Sequence, residues 1–217
     1  MRIVYLHGFA SSPRSAKARF FSRRFGELGI PVEIPELDRG DFTSLTVSGQ
    51  LEAIEETVAD RSAVLMGSSL GGYLAALFAS RHPRAVEKLI LMAPAFRFPS
   101  RLRERYTSEE IDEWRRRGVW PIFHYGSNRK AQLGYRFVED SRGYEDDPEF
   151  SQAALIFHGT RDEVVPAEIS RQYAVRRPHV ELRLLDSGHE LTDVLEEIWS
   201  GVRMFLGLGE SRPIAQG

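Results

Sequence analysis

The chain has 217 residues, 42% of them hydrophobic and 28% charged, with a formal net charge of −2. That length can bury one large core, and the near-even charge balance argues against nucleic acid as a partner. The absence of cysteine excludes disulfides, thiolate metal sites and a cysteine nucleophile, and no run reaches the roughly 18 apolar residues of a membrane span.

Met1-Arg2 leads straight into Ile3-Val4-Tyr5-Leu6, too short for the apolar region of a signal peptide, so a cytoplasmic location without membrane association is expected. In chain order, the pattern predicts a strand at Ile3–His7, a helix over Ser15–Leu28 stopped by Gly29, a strand at Val32–Ile34 and a helix over Thr46–Ala59. A strand at Ala63–Gly67, a helix over Ser69–Arg81 closed by Pro83 and a strand at Lys88–Met92 follow. After a long interruption come a strand at Ala154–His158, a helix over Ala167–Arg176, a strand at Val180–Leu185 and a helix over Thr192–Phe205. Glu210 to Gly217 has no apolar period and reads as a loose tail.

This alternation predicts parallel βαβ units, an α/β fold with about six mostly parallel strands and helices on both faces. Ala93 to about Gln152 is too long for a crossover. It reads as an insertion, with a charged helix over Ser108–Arg117 and a hairpin of Val119–Tyr125 and Gln132–Glu139. The expected organisation is one domain over residues 1–217 with a cap at about 94–152, covering the carboxyl ends of the strands where open α/β sheets place their sites.

Gly67-Ser68-Ser69-Leu70-Gly71 reads G-x-S-x-G at the junction of a predicted strand and helix. Such a turn holds its serine strained and exposed, which makes Ser69 the candidate nucleophile and Ser68 the intervening residue. A serine hydroxyl needs an oriented base to take its proton and a carboxylate to stabilise that base. Asp162, in the loop after the fifth core strand, is the candidate acid, and His189, just after the last strand, the candidate base. Asp186 and Glu163 are rivals to Asp162, and Glu190 adjoins the base. The Leu70 N–H, at a helix N-terminus, and the Phe9 N–H, after Gly8 at the end of the first strand, are the candidate oxyanion donors. His7 and His158 read as braces for their loops, His82 as solvated, His124 as packing and His179 as unremarkable.

Leu6-His7-Gly8-Phe9-Ala10-Ser11-Ser12-Pro13-Arg14-Ser15-Ala16-Lys17-Ala18 together with Gly67-Ser68-Ser69-Leu70-Gly71-Gly72-Tyr73 resembles small bacterial esterases of the YqiA type, within the α/β-hydrolase superfamily. The resemblance implies an α/β-hydrolase sheet with strand order 2-1-3-4-5-6 and ester or thioester hydrolysis without metal or cofactor, with the nucleophile on Ser69, the acid on Asp162 and the base on His189. The chain begins at the strand carrying His7-Gly8, without the antiparallel strands that open larger members, and its insertion matches no cap of assigned substrate.

From Ala93 to Arg136 there are nine Arg and one Lys against five acidic residues, a charge excess that would attract acidic substrates or simply form a solvated helix face. Phe96, Trp120 and Phe123 are the candidate substrate-binding aromatics. The expected partner is a small-molecule ester or thioester, with oligomeric state open. The same triad serves carbon–carbon hydrolases and aminoacyl peptidases, and a non-catalytic binding module is the reading from a different class.

Overall fold

The computed structural model describes residues 1–209, so the tail from Glu210 lies outside the described residues. Its strands are β1 (Ile3–Leu6), β2 (Val32–Glu33), β3 (Ala63–Ser68), β4 (Val86–Met92), β5 (Val119–His124), β6 (Arg129–Gly134), β7 (Ala154–Gly159) and β8 (Val180–Leu185). The helices are α1 (Ala16–Gly26), α2 (Val47–Val58), α3 (Leu70–Arg81), α4 (Phe98–Arg105), α5 (Ser108–Arg117), α6 (Arg136–Ser141), α7 (Ala167–Val175) and α8 (Leu195–Leu206).

Six strands form a parallel sheet in the order β2-β1-β3-β4-β7-β8. Counting only core strands, this is the 2-1-3-4-5-6 order expected from the sequence. Every residue of β1, β3 and β7 is buried, which is why these strands read as continuous apolar runs rather than as alternating ones. Successive side chains serve opposite faces. Ile3 and Tyr5 pack with Phe21 and Phe25 of α1 and Ile198 and Trp199 of α8, whereas Val4 and Leu6 join the core under α2 and α3.

The helix ends follow local chemistry. Ser15 caps α1 by accepting from the Ala18 N–H, and Thr46 caps α2 by accepting from the Gly49 N–H. Thr107 and Glu110 make a reciprocal capping box on α5, which ends at Gly118 with φ 77°.

The interruption between β4 and β7 holds α4, α5, the β5–β6 hairpin and α6. One expectation is corrected here. The second hairpin strand is Arg129–Gly134, not Gln132–Glu139, because Phe137, Val138 and Ser141 are buried with helical spacing and wind into α6. A helix also forms at Phe98–Arg105, started by Pro99 in its first turn.

Trp114 of α5 is fully buried, and its indole N–H donates to the Leu133 carbonyl at 3.0 Å. It therefore ties the charged helix to the hairpin. Trp114→Ala should destabilise the protein by about 3–5 kcal/mol, read as a fall in the urea midpoint; a midpoint within error of wild type would deny Trp114 this role.

Candidate active site

The turn after β3 is forced by its glycines. A Cβ on Gly67 would overlap the Gly71 carbonyl, and one on Gly71 would overlap the Leu6 and His7 carbonyls. Between them Ser69 sits at φ 53°, ψ −118°, a conformation that side-chain-bearing residues hold only when their surroundings over-determine it. Four backbone hydrogen bonds do so. The Ser69 N–H donates to Met92, and its carbonyl accepts from Gly72, Tyr73 and Ala95, all within 2.9–3.2 Å. Ser68 is buried at the end of β3.

His189 reaches this serine from the loop after β8. Its Nε2 lies 3.0 Å from Ser69 Oγ, and its Nδ1 lies 2.7 Å from Asp162 Oδ2. The Asp162 loop leaves β7 at Gly159, whose missing Cβ lets the Ser187 and Gly188 carbonyls of the His189 loop approach. Backbone bonds from Thr160 to Leu185 and from Arg161 to Ser187 then lock the two loops together. The structure thus brings Ser69, His189 and Asp162 into one hydrogen-bonded chain.

Asp162 is held by donors alone. Oδ1 accepts from the Val164 and Val165 N–H groups at 2.8 Å each, and Oδ2 faces His189 and, at 3.1 Å, His158 Nε2. His158 Nε2 also lies 2.8 Å from the Val165 carbonyl, so Nε2 carries the proton and Nδ1 accepts from the Ser170 hydroxyl at 2.8 Å. His158 therefore braces the Asp162 carboxylate directly. Burial pushes the Asp162 carboxyl up, but the hydrogen bonds from His158, His189 and Val165 outweigh it and hold the group well below the usual carboxylate range. A depressed folded value means that this group stabilises the fold above its unfolded pKa and that this contribution fades as the pH falls. The rival Asp186 points outward and pairs with Arg161 at 2.7 Å. Glu163 and Glu190 are exposed.

The Leu70 and Phe9 N–H groups donate to no acceptor among the described residues. Both lie beside the serine, because Leu70 follows it and a Cβ on Gly8 would sit 3.4 Å from Ser69 Cβ. His7 is buried with Nδ1 on the Gly8 carbonyl at 3.0 Å, and burial pulls its pKa down.

The three candidate substrate aromatics do not gather here. Phe96 is fully buried and stacks on Tyr173 at 3.9 Å, Trp120 packs on Trp114 and Tyr106 inside the insertion, and Phe123 faces solvent beside Tyr125. A different row of aromatics links the loop after β1 to α3. Phe9 stacks on Phe137 at 5.4 Å, Phe137 meets Phe98 edge-on at 5.7 Å, and Phe98 leans on Tyr73 at 5.8 Å. Sequence reading missed this set because its members are dispersed and only the tertiary fold unites them. The hairpin tip docks nearby, with the Gly126 N–H on the Ala10 carbonyl at 3.2 Å. A cleft of about 570 Å³ lined by Ser48, Glu52, Arg136 and Asp140 contains no residue of the Ser69 chain. Among the described residues no cluster of His, Cys, Asp or Glu could hold a metal, and no helix is long and apolar enough to cross a membrane.

A parallel sheet of this order, with its serine on a sharp strand-to-helix turn, defines the α/β-hydrolase fold, and solved structures agree. Alpha/beta hydrolase domain-containing protein 10 from mouse matches with TM-score 0.78 at 22% identity, over 95% of this chain and 90% of that one. Est1E from Butyrivibrio proteoclasticus, with ferulic acid bound, matches with TM-score 0.80 at 18% identity, over 95% and 88%. The hydrolase MGS-MChE2, from the metagenome of lagoon sediments at Mar Chica, Morocco, matches with TM-score 0.68 at 20% identity, over 95% and 90%.

The chain belongs to the uncharacterised protein family UPF0227, which it matches over residues 2–206. It is also 32% identical over 108 residues to a protein of Oryza sativa subsp. japonica named "Probable 1-acylglycerol-3-phosphate O-acyltransferase", spanning 25% of that protein's length and 43% of its own.

Proposed function

We propose that this protein is a serine hydrolase that cleaves carboxylic esters or thioesters of a small acyl substrate through an acyl-enzyme. The observation that carries the reading is the unbroken chain from Ser69 Oγ through His189 to Asp162, at 3.0 and 2.7 Å. His189 Nε2 takes the Ser69 proton as the oxygen attacks the substrate carbonyl, and the Leu70 and Phe9 N–H groups receive the oxyanion. His189⁺ then protonates the departing alcohol or thiol. Water, deprotonated by the same nitrogen, releases the acid and returns the proton to Ser69. Asp162 stays ionised, fixes the His189 tautomer and stabilises its charged form. No step calls for a metal or cofactor. Residues 94–152 act as a cap within a single domain, and Phe9 and Phe98 form the wall that meets the acyl group.

A fluorophosphonate probe, which forms a stable adduct only with an activated serine, tests the assignment. Mass spectrometry of the labelled protein should place one adduct on Ser69. In parallel, a panel of p-nitrophenyl esters, acyl thioesters, β-diketones and aminoacyl amides should show turnover of the first two. Absence of the adduct would remove the hydrolase reading, and preference for a diketone or an amide would replace it with carbon–carbon or peptide cleavage.

A further inference from the structure

His189 sits on backbone that holds little of itself. From Gly188 to Glu190 no N–H donates to another backbone group, and among the described residues the single hydrogen bond reaching the main chain of these three residues comes from Lys17. The Lys17 ammonium donates to the Glu190 carbonyl at 2.7 Å, while the Glu190 carboxylate stands off at 3.6 Å and is largely exposed. Lys17 itself is only 8% exposed. Lysine is almost never this buried without a task for its charge.

The helix that carries Lys17 is a firm platform. Lys17, Ala18, Phe21 and Phe25 make the buried stripe of α1, and Phe25 meets Trp199 of α8 edge-on at 4.9 Å. α1 also follows the loop that bears Phe9. Lys17 thus reaches the base loop from the same segment that supplies one proposed oxyanion donor. Burial draws the Lys17 pKa down, while the charges of Glu190 and, more weakly, Asp162 draw it up.

We propose that Lys17 is a positioning residue for the base. By anchoring the Glu190 carbonyl it sets where His189 Nε2 stands relative to Ser69 Oγ. The proposal rests on the serine hydrolase reading above. A displacement of the base by about 1 Å is enough to lower turnover on the order of 100-fold. Because Lys17 touches neither substrate nor reacting atoms, the loss should fall on kcat and leave KM in place.

The test compares wild type, Lys17→Met, Lys17→Arg and Glu190→Gln by fluorophosphonate labelling rate and by kcat and KM for one ester. Lys17→Met should slow labelling and kcat on the order of 100-fold with KM unchanged, and Lys17→Arg, which restores a charged donor, should recover most of the rate. Glu190→Gln keeps the carbonyl and should lose far less than Lys17→Met. If Lys17→Met does not fold, Lys17→Gln, whose donor is one bond short of the carbonyl, should show the same split. Wild type that labels at Ser69 together with Lys17→Met that labels equally fast would overturn the role of Lys17 alone. Wild type that does not label would overturn it together with the hydrolase reading. A rise in KM without loss of kcat, or a Glu190→Gln loss equal to that of Lys17→Met, would also overturn carbonyl anchoring.

Discussion

Ser69→Ala should lower ester turnover on the order of a million-fold, the loss found when the nucleophile of such a triad is deleted. The expected size follows from the unit's construction. Among the described residues His189 hydrogen-bonds no other hydroxyl, and on the proposed mechanism the remaining N–H donors would sustain only slow attack by water. Stability should hardly move, because the hydroxyl's one recorded partner is His189 and alanine is as strained as serine at φ 53°. Glycine is not. Ser69→Gly should therefore be equally inactive yet more stable, by about 1 kcal/mol, since glycine tolerates this backbone region. p-Nitrophenyl acetate kinetics and thermal melts on both variants check the pair. Near-wild-type turnover in Ser69→Ala would remove Ser69 from the chemistry.

Asp162→Asn should reduce kcat on the order of ten-thousand-fold with the fold intact, as for a comparable acid-to-amide change in another triad. The reason is local and specific to this carboxylate. Its four contacts, the Val164 and Val165 N–H groups, His158 Nε2 and His189 Nδ1, all act as donors. An asparagine must turn its NH2 toward two of them. Turned toward Val164 and Val165 it would oppose two fixed backbone donors. Turned toward the histidines it costs less, because His158 keeps the Val165 carbonyl at 2.8 Å. In that orientation the amide donates to His189 Nδ1, pushes the imidazole proton onto Nε2 and leaves Ser69 without a base. Steady-state kinetics with a crystal structure or imidazole nitrogen NMR would read this. A variant retaining a tenth of wild-type kcat would show that Asp162 does not govern the tautomer.

Much of this site was legible before any coordinates. Ser69 announced itself because a tight strand-to-helix turn needs glycines where side chains would collide, and Gly67 and Gly71 are both written into the sequence. Asp162 could be placed because it follows an apolar run that reads as a buried parallel strand, and His189 because it follows the short, mixed run of the last strand. Alternation of such runs pointed to parallel pairing, and the strand order came with the resemblance to α/β-hydrolases. Residues 129–141 were misread because the apolar positions of a short hairpin strand and of a two-turn helix differ by one or two residues, too few to fix a period. Phe96 was misassigned because an aromatic in an insertion is equally suited to a pocket wall and to stacking on Tyr173. Lys17 did leave a signal, since it stands four residues before Phe21 on the apolar stripe of α1, where a charge calls for an explanation. Its partner could not be read, because Glu190 lies 173 residues away.

Ser69 and His189 are separated by 120 residues and meet through β8, an edge strand whose one neighbour in the sheet is β7. Closing so large a loop is entropically opposed until many other contacts exist. A chain that has formed its elbow between β1, β3 and β4 but not yet docked its last strand carries a correctly bent serine with nothing to take its proton. On the proposed mechanism, reactivity would mark completion of the far edge of the sheet, and the first turnover after dilution from denaturant should time the arrival of β8.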